Sequence, residues 1–126
     1  MVSAEILRTL ADIGFMAVSG GLSVQAERIF KAIALCRKDN VVSYMGMALN
    51  LINEGKSEEA LALLEKKALV LEPDNLVLHN IKAMALMFIG RKGESEACLQ
   101  EVINLNTDNM ATTLAQNMLE HLHKAN

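Results

Sequence analysis

The most informative stretch of the sequence is residues 41–75, which read VVSYMGMALNLINEGKSEEALALLEKKALVLEPDN. Its first third is almost entirely apolar and is followed by Gly55. A charged amphipathic stretch comes next, and the segment ends on Asp74-Asn75. Glycine allows a sharp turn, and Asp or Asn oxygens accept hydrogen bonds from the first free N–H groups of a helix. The stretch therefore predicts two helices joined by a tight turn, with a third helix beginning after Asn75.

The same order of features recurs along the chain at an almost constant spacing. Gly21, Gly55 and Gly90 lie 34 and 35 residues apart, and Asp-Asn pairs recur at positions 39–40, 74–75 and 108–109. Ser23 and Ser57 follow two of these glycines, so we expect them to cap the second helices. Because different residue types repeat with the same lag, the sequence predicts an internal repeat of helix-turn-helix units.

This pattern resembles the tetratricopeptide repeat, a helix-turn-helix unit of about 34 residues. The repeats would span residues 7–40, 41–75 and 76–109, with a capping helix over residues 110–124. In the second repeat, positions typical of the family carry Tyr44, Met47, Ala48, Leu51, Gly55, Ala60, Leu64 and Pro73. The resemblance implies an all-α fold: a single domain, residues 1–126, that forms a right-handed superhelical solenoid of three repeats and the capping helix.

Two departures from the family pattern concern the second and third repeats. The second repeat has one extra residue between Ala60 and Pro73, which is consistent with a π-bulge or with an additional loop residue. Lys82 stands where the family has a core leucine, so either the third repeat is shifted locally or the lysine extends its ammonium group to solvent.

Residues 110–124 predict a first helix that lacks its partner. The side that would face the missing helix is polar and carries Thr113, Gln116, Asn117 and Glu120. The other side is mostly apolar and carries Ala111, Leu114, Ala115, Met118, Leu119 and Leu122. This distribution is typical of the terminal cap that keeps a solenoid soluble.

Composition and charge argue against several other classes of protein. The chain of 126 residues has a formal net charge of −3, so it lacks the basic surface of a nucleic-acid-binding protein. The longest uncharged run, residues 40–53, is too short to span a bilayer as a helix. Charged residues interrupt the N-terminal stretch where a signal peptide requires an apolar run. We therefore expect a cytoplasmic protein that binds neither nucleic acid nor a membrane.

The reactive side chains predict neither a metal site nor a catalytic site. Cys36 and Cys98 are far apart, have no metal-ligand spacing and are expected to be buried free thiols. His121 and His123 are two residues apart on a predicted helix, so they do not share a face. We therefore predict a protein that is not an enzyme and that holds no metal or cofactor.

In the tetratricopeptide family the first helix of each repeat lines the concave side of the solenoid. The corresponding positions here are almost all apolar, and Arg8 is the one charged residue among them. We predict a client-binding groove formed by Phe15, Val18, Met45, Leu49, Ile52, Met84, Met87, Phe88, Leu114 and Met118. The helices over residues 41–53 and 76–89 are apolar nearly all round, and such helices must be buried on more than one side.

Two interpretations of this apolar surface remain open. A tightly closed superhelix or a homodimer would bury these residues within the protein itself. Alternatively, the groove binds an apolar segment of another protein, which the eight methionines favour because their side chains are flexible and polarizable.

The positions at which tetratricopeptide co-chaperones clamp an acidic tail carry Ala11, Phe15, Val42, Gly46, Val77 and Ile81. None of these side chains can pair with a carboxylate, so that role is not expected.

A short three-repeat chain with an apolar groove resembles the chaperones of bacterial type III secretion. In size it is most similar to the needle-subunit chaperones, since a first repeat beginning at Leu7 leaves no room for the additional N-terminal region of translocator chaperones. The resemblance implies that the groove holds the amphipathic C-terminal helix of a needle subunit, with a small helical co-chaperone completing the complex. The rival interpretation is a general tetratricopeptide scaffold or assembly module, such as a homodimer.

Overall fold

The computed structural model describes residues 2–124 and arranges them as seven successive helices. Their bounds are α1 Ala4–Ser19, α2 Ser23–Cys36, α3 Val41–Asn53, α4 over residues 57–71, α5 Leu76–Phe88, α6 Lys92–Leu105 and α7 Asn109–Lys124. Helix α4 is continuous but changes along its length. Ser57–Leu63 and Leu69–Leu71 are α-helical, and Leu64–Ala68 between them is π-helical.

The helices form two layers. Helices α1, α3, α5 and α7 contact one another in succession and form the first layer. Helices α2, α4 and α6 form the second layer, and each packs on the first-layer helix before it and on the one after it. The predicted all-α solenoid is confirmed, because each pair of helices buries its apolar side against the next pair. None of the described helices is both long and apolar enough to cross a membrane.

The turn inside each helix pair has the same hydrogen-bonding geometry in all three repeats. Gly21, Gly55 and Gly90 have φ angles of 75°, 78° and 86°, which a residue with a side chain rarely adopts. The N–H group of the following residue donates to the carbonyl oxygen five residues earlier in each turn, at 2.8, 2.8 and 2.9 Å. This is the Schellman ending of a helix. The recurrent glycines therefore reverse the chain, as the sequence predicts.

Side-chain caps begin the first helix of the second and third pairs and helix α7. The Oδ1 atom of Asn40 accepts from the Val42 N–H at 2.9 Å, and that of Asn75 accepts from the Val77 N–H at 3.0 Å. At the third Asp-Asn pair it is Asp108 that caps, since its Oδ1 accepts from the Ala111 N–H at 3.1 Å. These bonds satisfy N–H groups that a helix start leaves free.

The prediction that Ser23 and Ser57 cap the second helices is wrong. Both serines are the first residue inside their helix, and the capping positions are Leu22 and Lys56, neither of which makes a side-chain capping bond. The reason is the tight glycine turn, which leaves one residue between the glycine and the serine, so that the helix has already begun at the serine.

The ring of Phe30 holds the first three helices together. Phe30 is fully buried in a cluster with Leu7, Ala11 and Ile33. A Cβ atom placed on Gly14 of α1 would lie 2.7 Å from a carbon of the ring, and one placed on Gly46 of α3 would lie 2.2 Å away. Both distances are far inside carbon–carbon contact. The two glycines therefore allow α1 and α3 to close on the ring from two sides.

The two departures from the family pattern meet at one place in the structure. The extra residue of the second repeat is accommodated by the π-helical turn Leu64–Ala68, not by a longer loop. Lys82 of α5 is half-buried, and its ammonium group lies 3.4 Å from the carboxylate of Glu65 in that turn. Lys82 therefore extends past the core to an acidic partner, and the π-helical turn supplies that partner.

The two sides of helix α7 differ in exposure largely as the sequence predicts, whereas the two cysteines are less buried than expected. On α7, Thr113, Gln116, Asn117 and Glu120 are exposed as predicted, whereas Ala111, Ala115 and Leu122 are buried against α5 and α6. Leu114, on the apolar side, is 42% exposed. The expectation of two buried thiols is wrong for Cys36, which is exposed at the end of α2, and Cys98 is half-buried.

We predict that Gly46→Ala destabilises the fold, because the new methyl group must displace the Phe30 ring. Overpacking a core costs about 1–3 kcal/mol, and the better helix propensity of alanine offsets up to about 1 kcal/mol of that. Urea denaturation should therefore show a net loss of about 1–2 kcal/mol in the free energy of unfolding.

Gly93→Ala is the matched control for Gly46→Ala. Gly93 also lies in a helix, but a Cβ atom placed on it has no other atom within 4 Å. Its substitution should leave stability unchanged or raise it slightly. If the two variants were equally stable, the role assigned to Gly46 would be wrong.

Candidate protein-binding groove

The predicted groove lies on the first layer of helices, on the side that α2, α4 and α6 do not cover. We call this side the inner face. Residues seven apart in a helix share a face. Val42 and Leu49 therefore lie together on α3, and Val77 and Met84 lie together on α5, with Phe88 one turn further along. The contacts between successive first-layer helices place these rows side by side.

The ten predicted groove residues differ in how much of their surface is free. Phe88 and Leu114 are 61% and 42% exposed. Val18 and Ile52 are 8% and 9% exposed, so they belong to the core beneath the groove and offer little surface to a partner. The other six are half-buried, namely Phe15, Met45, Leu49, Met84, Met87 and Met118. The groove is thus partly lined by side chains that also pack on the protein's own core.

Three half-buried residues illustrate this double role. The ring of Phe15 meets the ring of Phe30 edge to face, with 5.0 Å between their centres. Leu49 packs against the cluster around Phe30 and also against the central cluster that α3, α4 and α5 share. Met84 packs on that central cluster as well. The core therefore holds these side chains of the candidate groove in place.

One exposed apolar residue was missing from the predicted groove. Val42 is 37% exposed and lies in line with Leu49 on the inner face of α3. Its position in the repeat already placed it on the concave side. Val42 is the second residue of α3, and nothing in its local sequence indicated how much of it would remain uncovered.

Two asparagines on the inner face make structural hydrogen bonds between helices. The amide nitrogen of Asn53 donates to the Val18 carbonyl oxygen at 2.9 Å and so links α3 to α1. Asn80 is 1% exposed, and its amide nitrogen donates to the Ala111 carbonyl oxygen at 2.9 Å. The second bond holds the start of α7 against α5. It thereby positions Leu114 and Met118 at the end of the groove.

The ionisable groups with perturbed pKa values lie away from the inner face. Burial raises the pKa of the Cys98 thiol, and the nearby positive charge of Lys82 opposes this only in part. Cys98 is therefore a neutral thiol at neutral pH and a weak nucleophile. The inner face itself offers apolar contact surface.

The fold is that of the tetratricopeptide-repeat proteins. PcrH from Pseudomonas aeruginosa is 19% identical, with a TM-score of 0.79 over 98% of this chain and 96% of its own. The Yersinia enterocolitica type III secretion chaperone SycD, solved with a peptide of the translocator YopD, is 18% identical, with a TM-score of 0.74 over 98% and 96%. At these identities the likeness establishes the fold alone.

A third similar structure is the first tetratricopeptide domain of Spaghetti (RPAP3) bound to an HSP90 peptide. It is 17% identical, with a TM-score of 0.75 over 98% of this chain and 95% of its own. No protein-family model matches the sequence, and no curated protein matches it.

The similar structures contradict the use of chain length to favour a needle-subunit chaperone. SycD is a translocator chaperone, and 96% of the SycD chain solved with the YopD peptide is covered by this chain. A chain with three repeats and this length therefore matches a translocator chaperone over almost its whole solved length. Chain length therefore does not distinguish the two kinds of chaperone.

We predict that Asn80→Ala loosens α7 without unfolding the rest of the protein. The substitution removes the side-chain donor that links α5 to the Ala111 carbonyl oxygen, and such a hydrogen bond contributes about 0.5–1.5 kcal/mol. Hydrogen exchange should become faster at the amides of α7 and remain unchanged in α1 and α2. Asn104→Ala is the control, because the Asn104 side chain makes only an exposed bond to Gln100. Unchanged exchange in α7 would show that this bond does not hold the helix.

Proposed function

We propose that the protein is a chaperone that sequesters an amphipathic segment of a self-assembling client on its inner face. The observation that carries the proposal is the row of exposed apolar side chains on the first-layer helices. Val42, Phe88 and Leu114 are 37%, 61% and 42% exposed and are flanked by half-buried methionines. Apolar surface of this kind, gathered on one face, is typical of an interaction site.

Apolar burial supplies the binding energy in this proposal. Full burial of a large apolar side chain contributes about 1.5–3 kcal/mol before the costs of ordering are subtracted. An amphipathic helix would place anchors at i, i+3, i+4 and i+7 along the groove. The flexible methionines adapt their shape to those anchors. A client that polymerises through the same apolar segment is thereby kept from assembling until it is released.

We assign the client to the proteins exported by a type III secretion system, and within them to the translocators. The assignment is supported by the likeness to SycD, which was solved with a peptide of the translocator YopD. A needle subunit and an additional small helical co-chaperone remain outcomes that the experiment below can reveal. Because such a client is masked before export, the proposal places this protein in the cytoplasm.

A general scaffold or homodimer is the second candidate function. A specific feature favours it: Ile6, Ile13 and Met16 of α1 are 54%, 47% and 71% exposed. Terminal helices of solenoids usually present a polar outer side. Light scattering after size exclusion separates the candidates, since a stable dimer of the isolated chain supports the scaffold. A chain that aggregates alone and is rescued by a co-expressed client supports the chaperone.

We predict that Phe88→Asp weakens client binding by about tenfold or more, because a charge replaces the most exposed apolar anchor. The measurement is co-purification of the tagged protein from its native host, followed by mass spectrometry of the bound proteins. The client recovered with the wild type should be an exported self-associating protein. It should be strongly depleted from the Phe88→Asp preparation.

Leu35→Asp is the matched control, because Leu35 is 82% exposed on α2, in the second layer. It introduces the same charge away from the inner face and should retain the client. Leu49→Asp and Met84→Asp should also abolish binding while the second-layer helices still form, which circular dichroism can check. Normal recovery of the client with Phe88→Asp would contradict the proposal.

A further inference from the structure

A second groove lies on the other side of the molecule, between α2 and α4. Met47 and Leu51 of α3 form its floor, and Leu63 of α4 lines its wall. The cavity has a volume of about 480 Å³. Leu51 is nine residues from Val42, so the two side chains point to opposite sides of α3. We call this feature the outer groove; it is separate from the inner face.

The π-helical turn of α4 forms one wall of the outer groove. Leu64 and Ala68 at its ends are fully buried, which fixes the turn to the core. Between them, Glu65 pairs with Lys82 on the α5 side, while Lys66 and Lys67 line the groove on the α2 side. One-turn π-bulges occur frequently at functional sites. The extra residue of the second repeat thus lies where it shapes a surface depression.

Two lysines of the groove have no acidic partner among residues 2–124. Elsewhere on the rim, Lys31 pairs with Glu27, and Lys56 lies 3.7 Å from the carboxylate of Glu54. Within residues 2–124, no carboxylate lies within ion-pair distance of Lys66 or Lys67, and both residues are exposed. The positive charge at this end of the groove is therefore free to bind an anionic group.

The charges differ between the two ends of the outer groove. Glu59 lies near the start of α4, and Lys66 lies seven residues further along the same helix. The rise of a helix separates these positions by about 10 Å. An acidic ligand is therefore attracted at the lysine end and repelled at the glutamate end, so the groove distinguishes the two directions in which a segment can lie.

We propose that the outer groove is a second docking surface, and that it binds a short amphipathic protein segment with carboxylates at one end. The segment's apolar side chains pack on Met47, Leu51 and Leu63, and its carboxylates pair with Lys66 and Lys67. The site is independent of the inner face, so the chain can hold two segments of a client, or a client and a second protein, at the same time.

A second copy of this chain fits the outer groove less well than a different protein does. Two grooves facing each other across a two-fold axis would leave an empty space between them. A second copy would instead have to insert its exposed apolar helix α1. That contact joins two different surfaces, and contacts of this kind build rings or open-ended filaments.

The test uses the double variant Lys66→Glu/Lys67→Glu of the full chain. A phage library of random short peptides is selected on the immobilised wild-type protein, and the affinities of the selected peptides are measured by fluorescence anisotropy. One class of peptides should combine apolar residues with clustered carboxylates. Its Kd should rise by about tenfold or more in the double variant and should also rise with salt.

Two further variants test whether the outer groove itself holds these peptides. Arg37→Glu/Lys38→Glu reverses an adjacent, exposed basic pair outside the groove and should leave these Kd values unchanged. Val42→Asp, on the opposite side of α3, should also leave them unchanged, whereas it should weaken binding of any peptides that occupy the inner face. The measurements can therefore contradict the proposed function without contradicting the outer groove, and they can contradict the outer groove without contradicting the proposed function.

The proposal is overturned by either of two results. The first result is that no selected peptide binds more weakly to Lys66→Glu/Lys67→Glu than to the wild type. It also counts as this result if every peptide weakened by Lys66→Glu/Lys67→Glu is weakened equally by Arg37→Glu/Lys38→Glu. In the second, light scattering shows a wild-type oligomer that the Lys66→Glu/Lys67→Glu substitutions disperse. The groove would then be a contact between copies of this chain and not a site for another protein.

Discussion

The enclosure of the Phe30 ring by two glycines is the contact on which the inner face depends. Because Gly14 and Gly46 have no side chains, α1 and α3 approach the ring from both sides. The neighbours of these glycines are groove residues. Phe15 follows Gly14 and meets the same ring edge to face, and Leu49 lies one turn after Gly46 and packs on the same cluster. The packing that stabilises the first repeats therefore also sets where the groove lies.

Most of the fold could be predicted because independent local signals agree with one architecture. The sequence predicts that the recurrent glycines reverse the chain and that Asn side chains cap helices, and the structure shows both. The errors concern details that local signals do not determine. Serine is a residue type that often caps helices, but Ser23 already lies inside its helix. Cys36 follows an apolar stretch of α2, yet the end of that helix is uncovered.

Less of the groove could be predicted, for a physical reason. Helical periodicity shows which residues share a face, but the exposure of each residue depends on the helices beside it. Ile52 and Phe88 both belong to the predicted face, yet they are 9% and 61% exposed. The π-helical turn was likewise one of two alternatives, since one inserted residue fits a widened helix and a longer loop equally well. Only the packing of Leu64 and Ala68 on the core distinguishes them.

Helix α3 explains why a segment apolar nearly all round occurs in the middle of the chain. One side of it packs on the core, a second contributes Val42 and Leu49 to the inner face, and a third forms the floor of the outer groove with Met47 and Leu51. The two open sides select ligands differently. The inner face has few charges, so the proposed client is recognised there by shape and apolar surface. The outer groove adds two free lysines, so charge sets the direction in which a segment binds there.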